Sequence, residues 1–110
     1  MIEKYLIGTY TKKTSQGVYS VELDTTNKKL QNRQLVATAG NPTYVAESAA
    51  KKVYVIDKVT QGDKVSGGLK VVDAASGELP YKEINQVIDQ KTSPAYVSVD
   101  EKRQLVYTAN

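Results

Sequence analysis

Asn41-Pro42-Thr43-Tyr44-Val45-Ala46 is followed, about fifty residues on, by Ser93-Pro94-Ala95-Tyr96-Val97-Ser98. Pro, Tyr and Val recur with one spacing. About ten residues after each tyrosine comes a second run of strand-forming residues, around Tyr54 and then around Tyr107. The opening run Tyr5-Leu6-Ile7-Gly8-Thr9 resembles these second runs. A further correspondence joins Gly17-Val18 to Gly68-Leu69, each followed by a strand, a turn and a leucine, Leu30 and Leu79. Self-similarity at about fifty residues falls in the range of stacked repeat architectures, in which each unit hides its apolar faces against its neighbours.

The units read as strands. In Gly17–Leu23, Tyr19, Val21 and Leu23 share one face while Ser20 and Glu22 point to the other, the alternation of a half-buried strand. Residues 53–57 and 104–108 are rich in β-branched and aromatic side chains. No window sustains the i, i+3, i+4, i+7 apolar stripe of a helix. Turn residues punctuate the chain at Asp24-Thr25-Thr26-Asn27, Gly40-Asn41-Pro42, Ala75-Ser76-Gly77 and Lys91-Thr92-Ser93-Pro94. Proline has no ladder donor, so Pro42 and Pro94 should each open a strand.

One full unit therefore spans 41–90, with strands expected near 43–48, 53–58, 68–73 and 81–88. An earlier strand is expected at 4–10, and residues 1–40 and 91–110 form incomplete units. Four strands per unit at this period fit a β-propeller blade, against the alternative of a β-sandwich with accidental similarity. The expected fold is all-β: a partial propeller of about two blades of four-stranded antiparallel sheet, the N-terminal portion of a single propeller domain. A lone blade cannot bury both faces, so the exposed edges should meet the remaining blades of a longer protein or drive self-association.

Composition narrows the function. The chain has 110 residues, 15 basic and 12 acidic, and its lysines and arginines are scattered, the longest basic runs being pairs such as Lys12-Lys13. A nucleic-acid binder concentrates such charge in a stripe, so no nucleic-acid partner is expected. There is no Cys and no His, which removes thiolate and imidazole metal sites, a histidine general base and a Ser-His-Asp triad from these residues. No metal and no cofactor are expected. No apolar run reaches the length of a membrane span, and polar residues interrupt the N-terminus where a secretory signal would be apolar. Neither a membrane association nor export is expected, and the expected location is the cytoplasm.

Gly8-Thr9-Tyr10-Thr11 followed by Gly17-Val18-Tyr19-Ser20-Val21-Glu22-Leu23-Asp24 resembles the opening of the lactonase family with a seven-bladed propeller. Asn41–Ala46, Gly67-Gly68-Leu69, Ser76-Gly77-Glu78-Leu79, Ser93–Asp100 and Val106–Asn110 continue in that family's order. The resemblance covers the whole chain. It implies hydrolysis of a small-molecule phosphorylated sugar lactone, 6-phosphoglucono-1,5-lactone, to 6-phosphogluconate in the pentose phosphate pathway. Some relatives form or open a carboxymuconate lactone instead, and a non-catalytic binding scaffold is the further alternative. Family members often carry Cys-His after Ser-Pro where this chain has Ala95-Tyr96. A tyrosine, with an ordinary pKa near 10, is a poor base at neutral pH.

Lactone hydrolysis needs a positioned water and donors for the developing oxyanion. Propeller sites gather at one mouth of the central channel, so polar residues ending the inner strands are the candidates: Thr9 and Tyr10, Asp57 and Lys58, and Thr108 and Asn110, with Tyr96 at the position just described. Tyr10, Asp57, Tyr96 and Asn110 are the expected substrate-binding residues, and no catalytic residue is assigned. The plainer reading makes Asp57 and Lys58 a solvated strand end or loop anchor, and Thr9 and Tyr10 packing and turn residues. Glu47 is expected to face solvent or a neighbouring blade. Arg33 and Arg103, the two arginines, lie at strand edges or turns and are not expected to clamp phosphate. Gly62 to Gly68 is expected to form a flexible hairpin loop, with Asp63 and Lys64 exposed.

Overall fold

The computed structural model describes residues 1–90 and 94–109. Among them every regular element is a β-strand: β1 (Ile2–Ile7), β2 (Gly17–Asp24), β3 (Lys29–Thr38), β4 (Val45–Glu47), β5 (Lys52–Gln61), β6 (Lys64–Asp73), β7 (Lys82–Gln90), β8 (Tyr96–Asp100) and β9 (Leu105–Ala109). They form three antiparallel sheets, ordered β1-β2-β3, β4-β5-β6-β7 and β8-β9. The middle sheet holds the four strands expected of one unit. The first corresponds to the second, third and fourth strands of that unit, and the third to its first and second.

The repeat is visible in the backbone. Both β2–β3 and β6–β7 carry two register shifts, at Val18/Tyr19 and Ser20/Glu22 in one and at Gly67/Gly68 and Val71/Val72 in the other. Bulges of this kind increase strand twist. The β2–β3 turn contains Lys28 at φ 55° and the β6–β7 turn Gly77 at φ 74°; the β4–β5 turn ends on Lys51 at φ 64° and the β8–β9 turn on Gln104 at φ 56°. Equivalent turns thus use a left-handed residue at the equivalent place. Asp24 and Asp73 open the two long turns, their carboxylates accepting hydrogen bonds from the amides of Thr26 and Asn27 and of Ala75.

Strand limits differ from expectation in informative ways. The strand expected at 4–10 is Ile2–Ile7, because from Gly8 onward the chain leaves its sheet partner and bonds to the next sheet, with Thr9 N donating to Pro42 O. The loop expected at 62–68 is a tight hairpin: β5 and β6 pair out to Gln61 and Lys64, so Gly67 and Gly68 are strand residues. The reason is steric. A Cβ on Gly68 would land inside the contact distance of the Val87 carbonyl oxygen, so glycine permits β7 to approach. The turn expected at Lys91–Ser93 lies outside the described residues.

Val18, Val36 and Ala37 of the first sheet pack against Val53, Val55, Val72 and Tyr81 of the second, all buried. Ile56, next to Val55 and so on the opposite face of β5, is fully buried, as is Val97 of β8, and β5 contacts β8. β5, at the heart of the middle sheet, is therefore covered on both faces, whereas Lys82–Val87 of β7 are exposed.

Candidate functional site at the ends of the inner strands

Antiparallel pairing places the end of β1, the start of β4, the end of β5 and the start of β8 at one end of the sheets. Hydrogen bonds between sheets then draw these ends together. Thr9 N donates to Pro42 O at 3.0 Å and Lys58 N to Gly40 O at 2.7 Å. Thr11 N and Asn41 N bond to the partner's side chain, Asn41 Oδ1 at 2.8 Å and Thr11 Oγ1 at 3.0 Å. Asn41 holds φ 44°, a left-handed conformation that Asn tolerates better than most residues.

Asp57 is buried at this junction. Its Oδ1 accepts from Gly40 N at 2.7 Å, and its Oδ2 lies 3.9 Å from Lys70 Nζ, which itself donates to Thr38 O at 2.8 Å. The ion pair is longer than either hydrogen bond, so the hydrogen bonds fix the geometry and the opposite charges offset the cost of burial. Gly40 belongs to the same arrangement: a Cβ there would collide with the Lys58 carbonyl oxygen. Of the two forms of the plainer reading, a solvated strand end or a loop anchor, the burial of Asp57 excludes the first for that residue. Asp57 is a loop anchor that fastens the connection between two sheets.

Thr9 is anchored too, its hydroxyl donating to Gly17 O at 2.6 Å and contacting Ser15 Oγ. Tyr10 projects outward, 67% exposed, with Lys12 Nζ 5.7 Å from its ring centroid. Tyr96 is the first residue of β8 and its ring lies 4.5 Å, centroid to centroid, from that of Tyr44, tilted by 43°. Hydrogen bonding to the Tyr96 side chain raises the Tyr44 phenol above its ordinary value of 10.0. Thr108 is exposed in β9 and pairs with Val97. Asn110 lies outside the described residues. Glu47 is exposed. Arg33 lies 5.8 Å from the Tyr19 ring centroid, and Arg103 binds Asp100 at 3.0 Å, away from this end.

Of the candidates, then, Tyr10 and Tyr96 are exposed and Asp57 is buried. Tyr44 was not singled out by the sequence reading, although its place in the Pro-x-Tyr-Val repeat marks it as Tyr96's counterpart. Two of the clefts among the described residues are larger than the one lined by Lys70 and Tyr81. One of about 340 Å³, lined by Thr9, Ser15, Tyr19 and Arg33, opens on the face of the first sheet turned away from the second. One of about 400 Å³ lies at the opposite end, between the β4–β5 turn and β9. Among the described residues no cluster of acidic side chains could hold a metal ion, and no helix is long and apolar enough to cross a membrane.

Radially equivalent sheets, packed face to face with their inner-strand ends gathered at one mouth, define a piece of a β-propeller. Residues 4–110 match the family model described as "Lactonase, 7-bladed beta-propeller", and the chain belongs to that family. It is 43% identical over 112 residues to the 6-phosphogluconolactonase of Bacillus subtilis, covering 97% of this chain and 30% of that protein. A crystal structure of a Lactobacillus plantarum protein superposes with a TM-score of 0.86 at 47% identity, over 100% of this chain and 30% of the other. The Pseudomonas aeruginosa periplasmic gluconolactonase shares the fold, with a TM-score of 0.77 at 23% identity over 100% of this chain and 31% of its own. The chain spans about 30% of the curated relatives it matches.

Proposed function

We propose that this protein is a lactone hydrolase that opens 6-phosphoglucono-1,5-lactone to 6-phosphogluconate in the pentose phosphate pathway of the cytoplasm. The observation that carries this reading is membership of the lactonase family together with 43% identity to a 6-phosphogluconolactonase. In the reaction the oxygen of water bonds to the lactone carbonyl carbon, the carbonyl oxygen bears the transient negative charge, and the bond from that carbon to the ring oxygen breaks. The water's proton ends on the ring oxygen, which becomes a hydroxyl. Neutral donors at the mouth suit the developing oxyanion. Tyr10, Tyr96 and Asn110 are the substrate-facing residues in this reading, and Asp57 supports them through the Gly40 connection. The chain occupies the N-terminal portion of one propeller domain, with 41–90 a complete blade and 1–40 and 91–110 partial ones. The sheet edges not paired within it meet the other blades or a second copy.

The test follows loss of 6-phosphoglucono-1,5-lactone with the complete protein, against spontaneous hydrolysis in the same buffer. Acceleration proportional to enzyme concentration is the expected result. A folded protein that leaves the spontaneous rate unchanged removes this substrate.

A further inference from the structure

Two tyrosines of the repeat stand exposed in this chain. Tyr44 and Tyr96 occupy equivalent places in the repeat, immediately before and at the start of strands β4 and β8, and remain 38% and 46% exposed. Their surroundings hold them firmly. Pro42 and Pro94, two residues earlier in each copy, are buried, and so is Val97, next after Tyr96. Tyr44 O accepts from Ile56 N, and Tyr96 pairs with Ala109. Thr43 and Ala95, between proline and tyrosine, are short and exposed, so they do not overhang the rings. Two tethered rings packed on one another, 4.5 Å apart and tilted by 43°, make a preformed wall whose outer faces are apolar and whose edges bear hydroxyls.

We infer that Tyr44 and Tyr96 form the wall against which the sugar ring of the lactone stacks. A six-membered sugar lactone has the complementary make-up: C–H groups on its flat faces and hydroxyls around its rim. The wall is made of neutral phenols, so it suits an uncharged ring held by stacking and by hydrogen bonds to hydroxyl edges. This inference rests on the lactone-hydrolase reading for the identity of the ring.

The experiment uses the complete protein and four variants, Tyr44→Phe, Tyr96→Phe, Tyr44→Leu and Tyr96→Leu, with thermal melting to confirm folding. Two readouts are taken: steady-state hydrolysis of 6-phosphoglucono-1,5-lactone, and calorimetric binding of glucono-1,5-lactam, a ring that cannot be hydrolysed. The Phe variants keep the stacking face and should stay within about threefold of the parent in KM and in lactam affinity. The Leu variants lose it and should raise KM and weaken lactam binding by about tenfold, with kcat changed far less. Folded Leu variants with parental KM and lactam affinity would overturn the inference while leaving the hydrolase reading intact. Lactam binding that depends on the two rings, in a protein without turnover, would remove the hydrolase reading and uphold the wall. Failure of the parent protein to bind the lactam would overturn the wall.

Discussion

Lys28 and Lys51 sit in left-handed backbone, at φ 55° and 64°, and the residue equivalent to Lys28 in the next unit is a glycine, Gly77. A side chain with a Cβ costs energy there that glycine does not. Lys28→Gly and Lys51→Gly should each stabilise the protein by up to about 1 kcal/mol, read as a rise in melting temperature, and Gly77→Ala should lower it. Asp57 makes the opposite case. Asp57→Ala would leave Gly40 N and Lys70 Nζ without the carboxylate they face, at a cost of about 1–3 kcal/mol in urea unfolding, whereas Asp57→Asn keeps an acceptor for Gly40 and should cost less. Two turn aspartates set the acid limb. Hydrogen bonds from Asn27 hold Asp24, and the amide of Ala75 with Lys52 holds Asp73, below the ordinary carboxyl value of 3.8. Near that pH the folded protein binds fewer protons than the unfolded chain. Their stabilisation is complete above about pH 5 and disappears as pH falls through the folded-state values. Asp24→Asn and Asp73→Asn should therefore flatten the dependence of melting temperature on pH in that range.

At the level of strands, β5 carries the heaviest duty, being buried through Val53 and Val55 on one face and Ile56 on the other. Ile56→Ala should cost about 2–5 kcal/mol, because its cavity opens on the side where β5 meets β8. The same strand shows how far the sequence could be read. Val53-Tyr54-Val55-Ile56-Asp57 is legible as a strand from its β-branched content, and the tyrosine spacing reveals its copies. The depth of Asp57 was not legible, since it depends on Gly40 and Lys70, 17 residues before it and 13 after it, and an acidic residue at a strand end reads as solvated. β6 (Lys64–Asp73) begins earlier than the expected 68–73 for a related reason. Glycine is an ordinary loop residue, and only the closeness of the β7 backbone explains why Gly68 lies in a strand.

For the molecule as a whole, the repeat made the architecture readable and left the site half written. Sequence spacing shows that Tyr44 and Tyr96 are copies of one another, but not that their rings meet, because the distance between copies is set by how sheets lean together. The loop between β1 and β2 is a last case. Its legs are fixed at Thr9 and Thr11 on one side and Ser15 and Gly17 on the other, while Lys12–Thr14 between them is exposed. Two glycines inserted after Lys13 should shift the melting temperature by no more than a degree or two, since loop-closure cost grows slowly with length. The same insertion between Gly40 and Asn41 should cost far more. This fingertip can thus be lengthened, shortened or recharged while the masonry beneath it stays where it was laid.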